Sequence, residues 1–290
     1  MKPPAFDYCA PESLDEALTL LAEYGEDARP LAGGQSLTPM LALRLVRPTA
    51  LIDLNRVPDL DIEAVDPQGG DLHLGAMLRT ARLERASLVA SHQPLLAEAA
   101  HWIAHGPIRN RGTIGGSLSH ADPSAELPAL AVALDARMRI AGPTGVREVP
   151  AGSFFHGMFE TDIAPGEILT EIVFPKMPRG RQVALHEIAR RHGDFAMAGL
   201  AVAFGGGPAR AVGFGLTDCP VRLPMLEALL GSDGADGPVP AAEIAEAARA
   251  DVAGFDLNDD LHASAAWRAD VLPVIARRAV AAARAAGDRS

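Results

Sequence analysis

Apolar residues recur at helical spacing between positions 14 and 22, directly after the polar residue Ser13. Ser13 and Glu16 form a capping box at the front of this run, and Gly25 supplies a stop behind it. The pattern predicts a helix over 14–24. The continuous apolar run at 50–54 predicts a buried strand, so the chain is expected to open with a β-α-β unit.

Between residues 56 and 176 short apolar runs alternate with turn signals. Five of these runs predict strands, at 60–65, 71–74, 136–141, 146–149 and 168–174. Pro94 predicts the start of a helix that continues through Ile103 and stops near Gly106. This middle part is therefore expected to mix helices with strands.

A short polar segment at 176–181 marks a change in the pattern. Beyond it, the apolar runs predict strands at 183–188, 199–204 and 211–216, followed by helices at 224–230, 240–250 and 264–286. We expect a domain boundary here, which gives a first domain over 1–176 and a smaller one over 177–290. Within the first domain a further division is expected near residue 55, into 1–55 and 56–176.

Composition and charge exclude several classes of protein. The 290 residues are 48% hydrophobic and 22% charged, and no apolar run is long enough for a membrane span. The first residues lack the pattern of a secretory signal, so a cytoplasmic protein is expected. A net charge of −11 without a basic run disfavours nucleic-acid binding. Lys2 and Lys176 are the only lysines, which leaves no lysine for a Walker-type phosphate loop.

Two short glycine-rich segments in the first half are near-copies of each other. They read Ala32-Gly33-Gly34-Gln35-Ser36-Leu37 and Thr113-Ile114-Gly115-Gly116-Ser117-Leu118. Paired glycines beside a serine expose backbone N–H groups, which bind phosphate oxygens. Two such segments would hold a diphosphate from both sides if the fold brought them together. For either one alone a plain turn is the simpler interpretation, because Gly-Gly pairs are common in turns.

Other candidate motifs favour structural roles. The glycine tract at 205–208 leads into another apolar strand rather than a helix, so it predicts a hairpin turn and not a dinucleotide site. His101 and His105 have the spacing of two ligands on one helix face, but they fit solvated or helix-capping histidines better. Cys9 and Cys219 are too few for an iron–sulfur cluster. No catalytic residue and no metal ligand is predicted.

The residues that flank the second glycine segment, at 108–112 and 119–128, include charged and polar side chains that a plain turn does not require. Five stretches together resemble one known family: Phe6-Asp7-Tyr8 with Pro11, Ala32 to Ser36, Arg109 to Ser117, Gly166 to Thr170, and Arg190 to Ala196. The chain resembles the FAD-binding medium subunit of the molybdenum hydroxylases, which include carbon monoxide, nicotine and quinoline dehydrogenases and the flavin domain of xanthine dehydrogenase. The resemblance runs nearly from end to end.

This resemblance implies an α+β fold. It consists of a vanillyl-alcohol-oxidase-like, PCMH-type FAD-binding domain of two α/β subdomains, followed by a C-terminal domain with a small antiparallel sheet and helices. It implies that the FAD diphosphate lies between two sets of residues: Leu31, Ala32, Gly33, Gly34, Gln35, Ser36 and Leu37 on one side, and Thr113, Ile114, Gly115, Gly116 and Ser117 on the other.

Four further positions match cofactor-lining positions of the family. Asp122 and Glu126 would accept hydrogen bonds from ribityl or ribose hydroxyls, with a helix N-cap before Pro128 as an equal alternative. Leu169 and Glu187 would line the isoalloxazine ring. Glu187 departs from the family, which often has lysine there, and its carboxylate would either lower the flavin potential or point elsewhere.

By the same resemblance the chain is an electron-transfer subunit. A large subunit with a molybdopterin cytosine dinucleotide-type cofactor would hydroxylate the substrate, and a small subunit with two [2Fe–2S] clusters would pass electrons to FAD. We expect an (αβγ)2 hexamer that reduces an external acceptor. The resemblance weakly favours an N-heterocyclic substrate. Gln35 disfavours a carbon monoxide dehydrogenase, because those enzymes commonly have histidine at this position. Two alternatives remain open: a self-sufficient flavin dehydrogenase or oxidase, and a scaffold without cofactor.

Overall fold

The structure is a computed structural model that describes residues 2–231 and 238–287. The helices are α1 Leu14–Tyr24, α2 Leu37–Ala42, α3 Thr80–Arg85, α4 Ser87–His92, α5 Pro94–Ala99, α6 Gly106–Arg109, α7 Ile114–His120, α8 Glu126–Ala133, α9 Pro224–Gly231, α10 Ala241–Val252 and α11 Ala265–Gly287. The strands are β1 Asp7–Cys9, β2 Ala28–Leu31, β3 Ala50–Asp53, β4 Glu63–Val65, β5 Leu72–Gly75, β6 Arg137–Gly142, β7 Gly145–Pro150, β8 Phe155–Gly157, β9 Glu160–Thr161, β10 Ile168–Phe174, β11 Gln182–Ile188, β12 Ala198–Phe204, β13 Arg210–Phe214 and β14 Val221–Arg222.

The chain opens with a parallel sheet in the order β1-β3-β2. Helix α1 packs on it through Ala17 and Leu21, which are buried. The predicted helix start is confirmed, because the Ser13 hydroxyl accepts a hydrogen bond from the Glu16 amide at 3.2 Å. The β-α-β opening is therefore confirmed as well.

The second sheet is antiparallel, in the order β4-β5-β10-β6-β7. Its core includes the apolar residues of α8, all eight of whose residues are buried. The third sheet is an antiparallel meander, β11-β12-β13-β14. Helix α8 lies against β12 and β13 of that sheet. One buried helix thus joins the second sheet to the third.

The opposite face of the third sheet is covered by α9, α10 and α11, which form a separate core with Leu200, Val202 and Phe204 of β12. Arg268 of α11 is 3% exposed and donates hydrogen bonds to the carbonyls of Gly215 and Ala263, among others. The helical layer is therefore fixed to the sheet by a buried guanidinium as well as by apolar contact. No helix within the described residues is long and apolar enough to cross a bilayer.

Three local features can be compared with the predictions from the sequence. The tract at 205–208 is the predicted hairpin turn between β12 and β13, with φ of +71° at Gly205 and +66° at Gly206. The helix predicted from Pro94 ends at Ala99 rather than at Ile103. The second glycine segment is not a loop but lies within α7, because Thr113 caps that helix through its hydroxyl.

Candidate functional site

The two glycine segments lie against each other. A Cβ atom on Gly33 would stand 2.3 Å from the carbonyl oxygen of Arg111 and 2.8 Å from the Cα of Gly112. On the other side, a Cβ on Gly116 would meet the Cβ of Ala32 at 3.3 Å. Glycine is therefore required at Gly33 because no side chain fits between the two backbones. The structure brings together the segments that the sequence placed some eighty residues apart.

Arg79 and Asn55 connect the two segments through polar contacts. The Arg79 guanidinium donates to the Arg111 carbonyl and to the Asn55 side-chain oxygen. The Asn55 amide in turn donates to the Ala32 carbonyl at 3.0 Å. Sequence reasoning missed both residues. A signal was present, since Asn55 follows the carboxyl end of β3, where polar residues of parallel sheets contact ligands.

Free backbone donors are concentrated in the first segment. Within the described chain, the amides of Gly34, Gln35, Ser36 and Leu37 donate to no acceptor, and the Ser36 hydroxyl has no hydrogen-bond partner. Gly34 has a φ of +70°, which turns the chain so that these amides follow one another around a tight bend. Gln35 stays inside the bend, because its side-chain nitrogen donates to the Gly33 carbonyl at 3.0 Å.

Four amides of the second segment, those of Ile114 to Ser117, already donate hydrogen bonds within the protein. Ile114 donates to the Leu78 carbonyl at 3.0 Å, Gly115 to the Ala76 carbonyl at 2.8 Å, and Gly116 to the Thr113 hydroxyl at 3.1 Å. The Ser117 amide completes the first turn of α7. The expectation of exposed amides on both sides therefore differs from the structure, in which the Thr113 amide and the Ser117 hydroxyl of this segment have no partner among the described residues.

Asp122, Glu126 and Glu187 form an acidic group behind α7. Asp122 accepts a hydrogen bond from the Ser124 amide at 2.9 Å. Glu126 is the first residue of α8, and the N-cap position is Ala125, so the alternative of a side-chain N-cap does not hold for either acid. Glu187 lies in β11, and its side chain points to the same face of the sheet as that of Leu185, two residues earlier.

Burial perturbs two of these carboxyls. Burial, and then the neighbouring Glu126, raise the pKa of Glu187 to about 8. Burial also raises the pKa of Glu126 to about 7, with a smaller contribution from Asp122. Leu169 lies in the same core as Leu185 and is 4% exposed. Electrostatic interaction thus links Asp122 to Glu126 and Glu126 to Glu187, while Leu169 belongs to the apolar core that the second and third sheets share.

The histidine pair does not share a helix face. His101 and His105 both follow the end of α5, and His101 lies 3.4 Å from the Glu84 carboxylate. The His105 ring packs under Gly193, where an added Cβ would come within 2.6 Å of it. Within the described ranges, no group of three or more ligating side chains is arranged to hold a metal ion.

Comparison with known proteins gives consistent results. A family described as "FAD binding domain in molybdopterin dehydrogenase" matches residues 4–177. The 6-hydroxypseudooxynicotine dehydrogenase complex subunit alpha of Paenarthrobacter nicotinovorans is 41% identical over 288 residues, which is 97% of this chain and 95% of that protein.

Solved structures extend the likeness to the whole fold. A chain of carbon monoxide dehydrogenase from Hydrogenophaga pseudoflava superposes with a TM-score of 0.92 at 37% identity and covers 98% of this chain and 99% of its own length. A chain of quinoline 2-oxidoreductase from Pseudomonas putida 86 superposes with a TM-score of 0.92 at 35% identity, and 99% of each chain is covered.

These likenesses confirm the predicted α+β, PCMH-type FAD-binding architecture and the prediction of an FAD-binding oxidoreductase subunit. They cover the C-terminal sheet and helices as well as the glycine segments. The chain belongs to the family of FAD-binding domains of molybdopterin dehydrogenases.

Proposed function

We propose that this chain binds one FAD and works as the electron-transfer subunit of a molybdenum hydroxylase complex. The observation that carries the proposal is the bend at Gly34 to Leu37, which presents four amides without acceptors. It lies directly against the second glycine segment. A diphosphate needs several donors that converge from a surface with no side chains in the way, and this arrangement fits it.

In this proposal the first segment, from Leu31 to Leu37, binds the diphosphate through its amides and the Ser36 hydroxyl. The second segment, Thr113 to Ser117, supplies the Ser117 hydroxyl and a close-packed wall. The backbone carbonyl of Arg111 lies against Gly33, and its guanidinium, which makes no ion pair within the described residues, is proposed to provide the positive charge that a lysine provides in other phosphate sites.

The acidic group behind α7 belongs to the same proposal. Asp122 and Glu126 are proposed to face the ribityl or ribose hydroxyls, and Leu169 and Glu187 to lie toward the isoalloxazine ring. Their support is that α7 leads from the glycine segments to Asp122 and Glu126, and that Leu169 and Glu187 lie in the same interface. Bound FAD would accept electrons one at a time and release them in pairs, which suits a relay between unlike partners.

Partner subunits are proposed to do the remaining chemistry. This chain has two cysteines, too few for clusters held by four, so the [2Fe–2S] clusters and the molybdenum cofactor are assigned to a small and a large subunit. An (αβγ)2 assembly with an external electron acceptor follows from the family resemblance. An N-heterocyclic substrate is supported by the relatives whose names refer to pseudooxynicotine and quinoline.

The domain boundaries are part of the proposal too. We propose a FAD-binding domain over 1–176, divided near residue 55, and a C-terminal domain over 177–290. Supporting this division, the parallel sheet and the helical layer of α9–α11 have cores of their own.

Purification of the chain alone and together with its partner subunits tests the function. We expect about one FAD per chain in both preparations, and bleaching of the flavin by substrate only in the complete complex. Bleaching in the isolated chain would instead support a self-sufficient flavin dehydrogenase. A complete complex without flavin would support a scaffold.

A further inference from the structure

Two buried carboxyl groups lie on elements that adjoin β12 of the third sheet: one is on α8, which packs against β12, and the other is on β11, which pairs with β12. Glu126 at the start of α8 is 5% exposed, and Glu187 in β11 is 7% exposed. The Oε2 atom of Glu187 is sealed from solvent and has no hydrogen-bond partner. A buried carboxylate oxygen without a partner is costly, whereas a protonated carboxyl carries no charge to desolvate.

No cation offsets these two groups. Within residues 2–231 and 238–287, neither Glu126 nor Glu187 forms an ion pair with arginine, lysine or histidine. The charged group that faces Glu187 is Glu126 on α8, and the one that faces Glu126 from the preceding loop is Asp122. His120 on α7 lies beyond Asp122, and burial lowers the pKa of its imidazole, which favours the neutral ring. The surroundings are therefore wholly negative.

A contrasting buried acid shows how this protein stabilises an ionised carboxylate. Glu227 in α9 is 8% exposed, but it is paired with the Arg222 guanidinium and accepts a hydrogen bond from the Ala211 amide at 3.0 Å. Glu126 and Glu187 have no cationic partner within the described residues, and the backbone hydrogen bond that favours an ionised form here runs from the Glu126 amide to its own carboxylate. Two ionised carboxylates without a counter-charge repel each other strongly in a low-dielectric interior, so they titrate as a coupled pair.

We infer that Glu126 and Glu187 share one proton at neutral pH and that this pair takes up or releases a proton when the charge of the adjoining cofactor changes. The inference rests on the proposed function for the cofactor's place. The chain links the pair to the contact between Ala32 and Gly116, because Gly116 lies in α7 and the loop 121–125 leads from α7 to Glu126 at the start of α8. On uptake an O–H bond forms on a carboxylate oxygen of the pair with a proton from solvent, and no electron moves at the pair.

Infrared difference spectroscopy of the full chain tests the shared proton directly. At pH 7 we expect the C=O stretching band of a protonated carboxyl, which disappears as the pH is raised to 9. Glu187→Gln should remove more than about half of the band, and Glu126→Gln should move its disappearance to lower pH. Glu227→Gln, the matched buried control, should leave it unchanged. Absence of the band at pH 7, or a band indifferent to both variants, would overturn the inference.

The flavin potential tests the coupling to the cofactor. In FAD-loaded protein we expect the plot of midpoint potential against pH to bend between about pH 6 and 9, and the bend to be absent in Glu187→Gln. An unchanged bend in that variant would refute the coupling. The two proposals fail separately: a chain that shows the band but binds no FAD contradicts the proposed function alone, while FAD binding without the band contradicts the proton pair alone.

Discussion

Replacing Glu187 with glutamine should make the protein more stable in alkaline solution. The folded-state pKa of this carboxyl is raised from its ordinary value of 4.5 to about 8, so the folded chain holds the proton more tightly than the unfolded chain. For an acid whose pKa is raised by folding, the associated stability is fully present below pH 4.5 and is lost as the pH rises through 8. Glutamine does not titrate, and this loss disappears in the variant.

The magnitude follows from the pKa values. A change from 4.5 to about 8 corresponds to about 5 kcal/mol, at about 1.4 kcal/mol per pH unit. Because the surroundings relax around an ionised group and Glu126 shares the titration, we expect about half of this, about 2.5 kcal/mol, at pH 9. A protein of this size should then gain about 4 °C in Tm at pH 9 and about none at pH 5.

Thermal unfolding followed by circular dichroism between pH 5 and 9 measures this effect. Glu227→Gln provides the control of opposite sign, because it leaves the Arg222 guanidinium without its carboxylate and should lower Tm at pH 7. A Glu187→Gln variant that is less stable than the wild type at pH 9 would contradict a raised pKa of Glu187 in the folded chain. So would a Tm difference that stays constant across the pH range.

Three further predictions concern the glycine segments. Gly34→Ala should weaken FAD binding about tenfold, because a side chain at φ +70° distorts the bend. The control is Gly180→Ala, at φ +75° in an open turn, which should lower stability by a similar amount and leave FAD binding unchanged. Arg79→Ala should also weaken FAD binding about tenfold by releasing the contact between the segments, whereas Arg82→Ala, which loses only surface ion pairs, should not. Gly115→Ala should lower the stability of the chain by about 1–3 kcal/mol with or without FAD, because its Cβ would stand 2.4 Å from that of Ala76.

FAD affinity and Tm of these variants distinguish cofactor binding from packing. Fluorescence titration with FAD would show equal affinities for the Gly34 and Gly180 variants if the bend were only a turn. Equal affinities for the two arginine variants would mean that Arg79 does not hold the segments in place. A Gly115 variant with normal Tm and reduced FAD affinity would place that glycine at the cofactor rather than in the packing against Ala76.

Local patterns were sufficient where one face of an element is buried and its ends carry specific residues. The capping box at Ser13 predicted the start of α1, and the apolar run ended by Pro175 predicted β10 with its observed bounds. Helix α8 was anticipated only as the alternative of a helix N-cap before Pro128, because it is buried on all sides and its sequence has no polar face to reveal a period. Helix α7 was missed because its two glycines favour a turn.

The candidate site shows a similar division. Glycine pairs beside serine identified the two segments, since their chemistry is local. The connection through Arg79 and Asn55 joins residues 24 positions apart, and no local pattern reports such a pairing. The used amides of Gly115 and Gly116 depend on Ala76 and on the cap at Thr113, and so become visible only in the folded chain. The missing hydrogen-bond partner of Glu187 Oε2 likewise depends on tertiary packing, which brings Glu126 of α8 near it.

Anaerobic rapid mixing with substrate measures whether electrons reach FAD in this chain through the small subunit. The complete complex of this chain with its large and small partner subunits is compared with a complex that lacks the small subunit, and the flavin absorbance is followed in both. We expect the flavin to be bleached in the complete complex and to remain oxidised without the small subunit. Equal bleaching in both preparations would contradict an electron relay that ends on FAD in this chain.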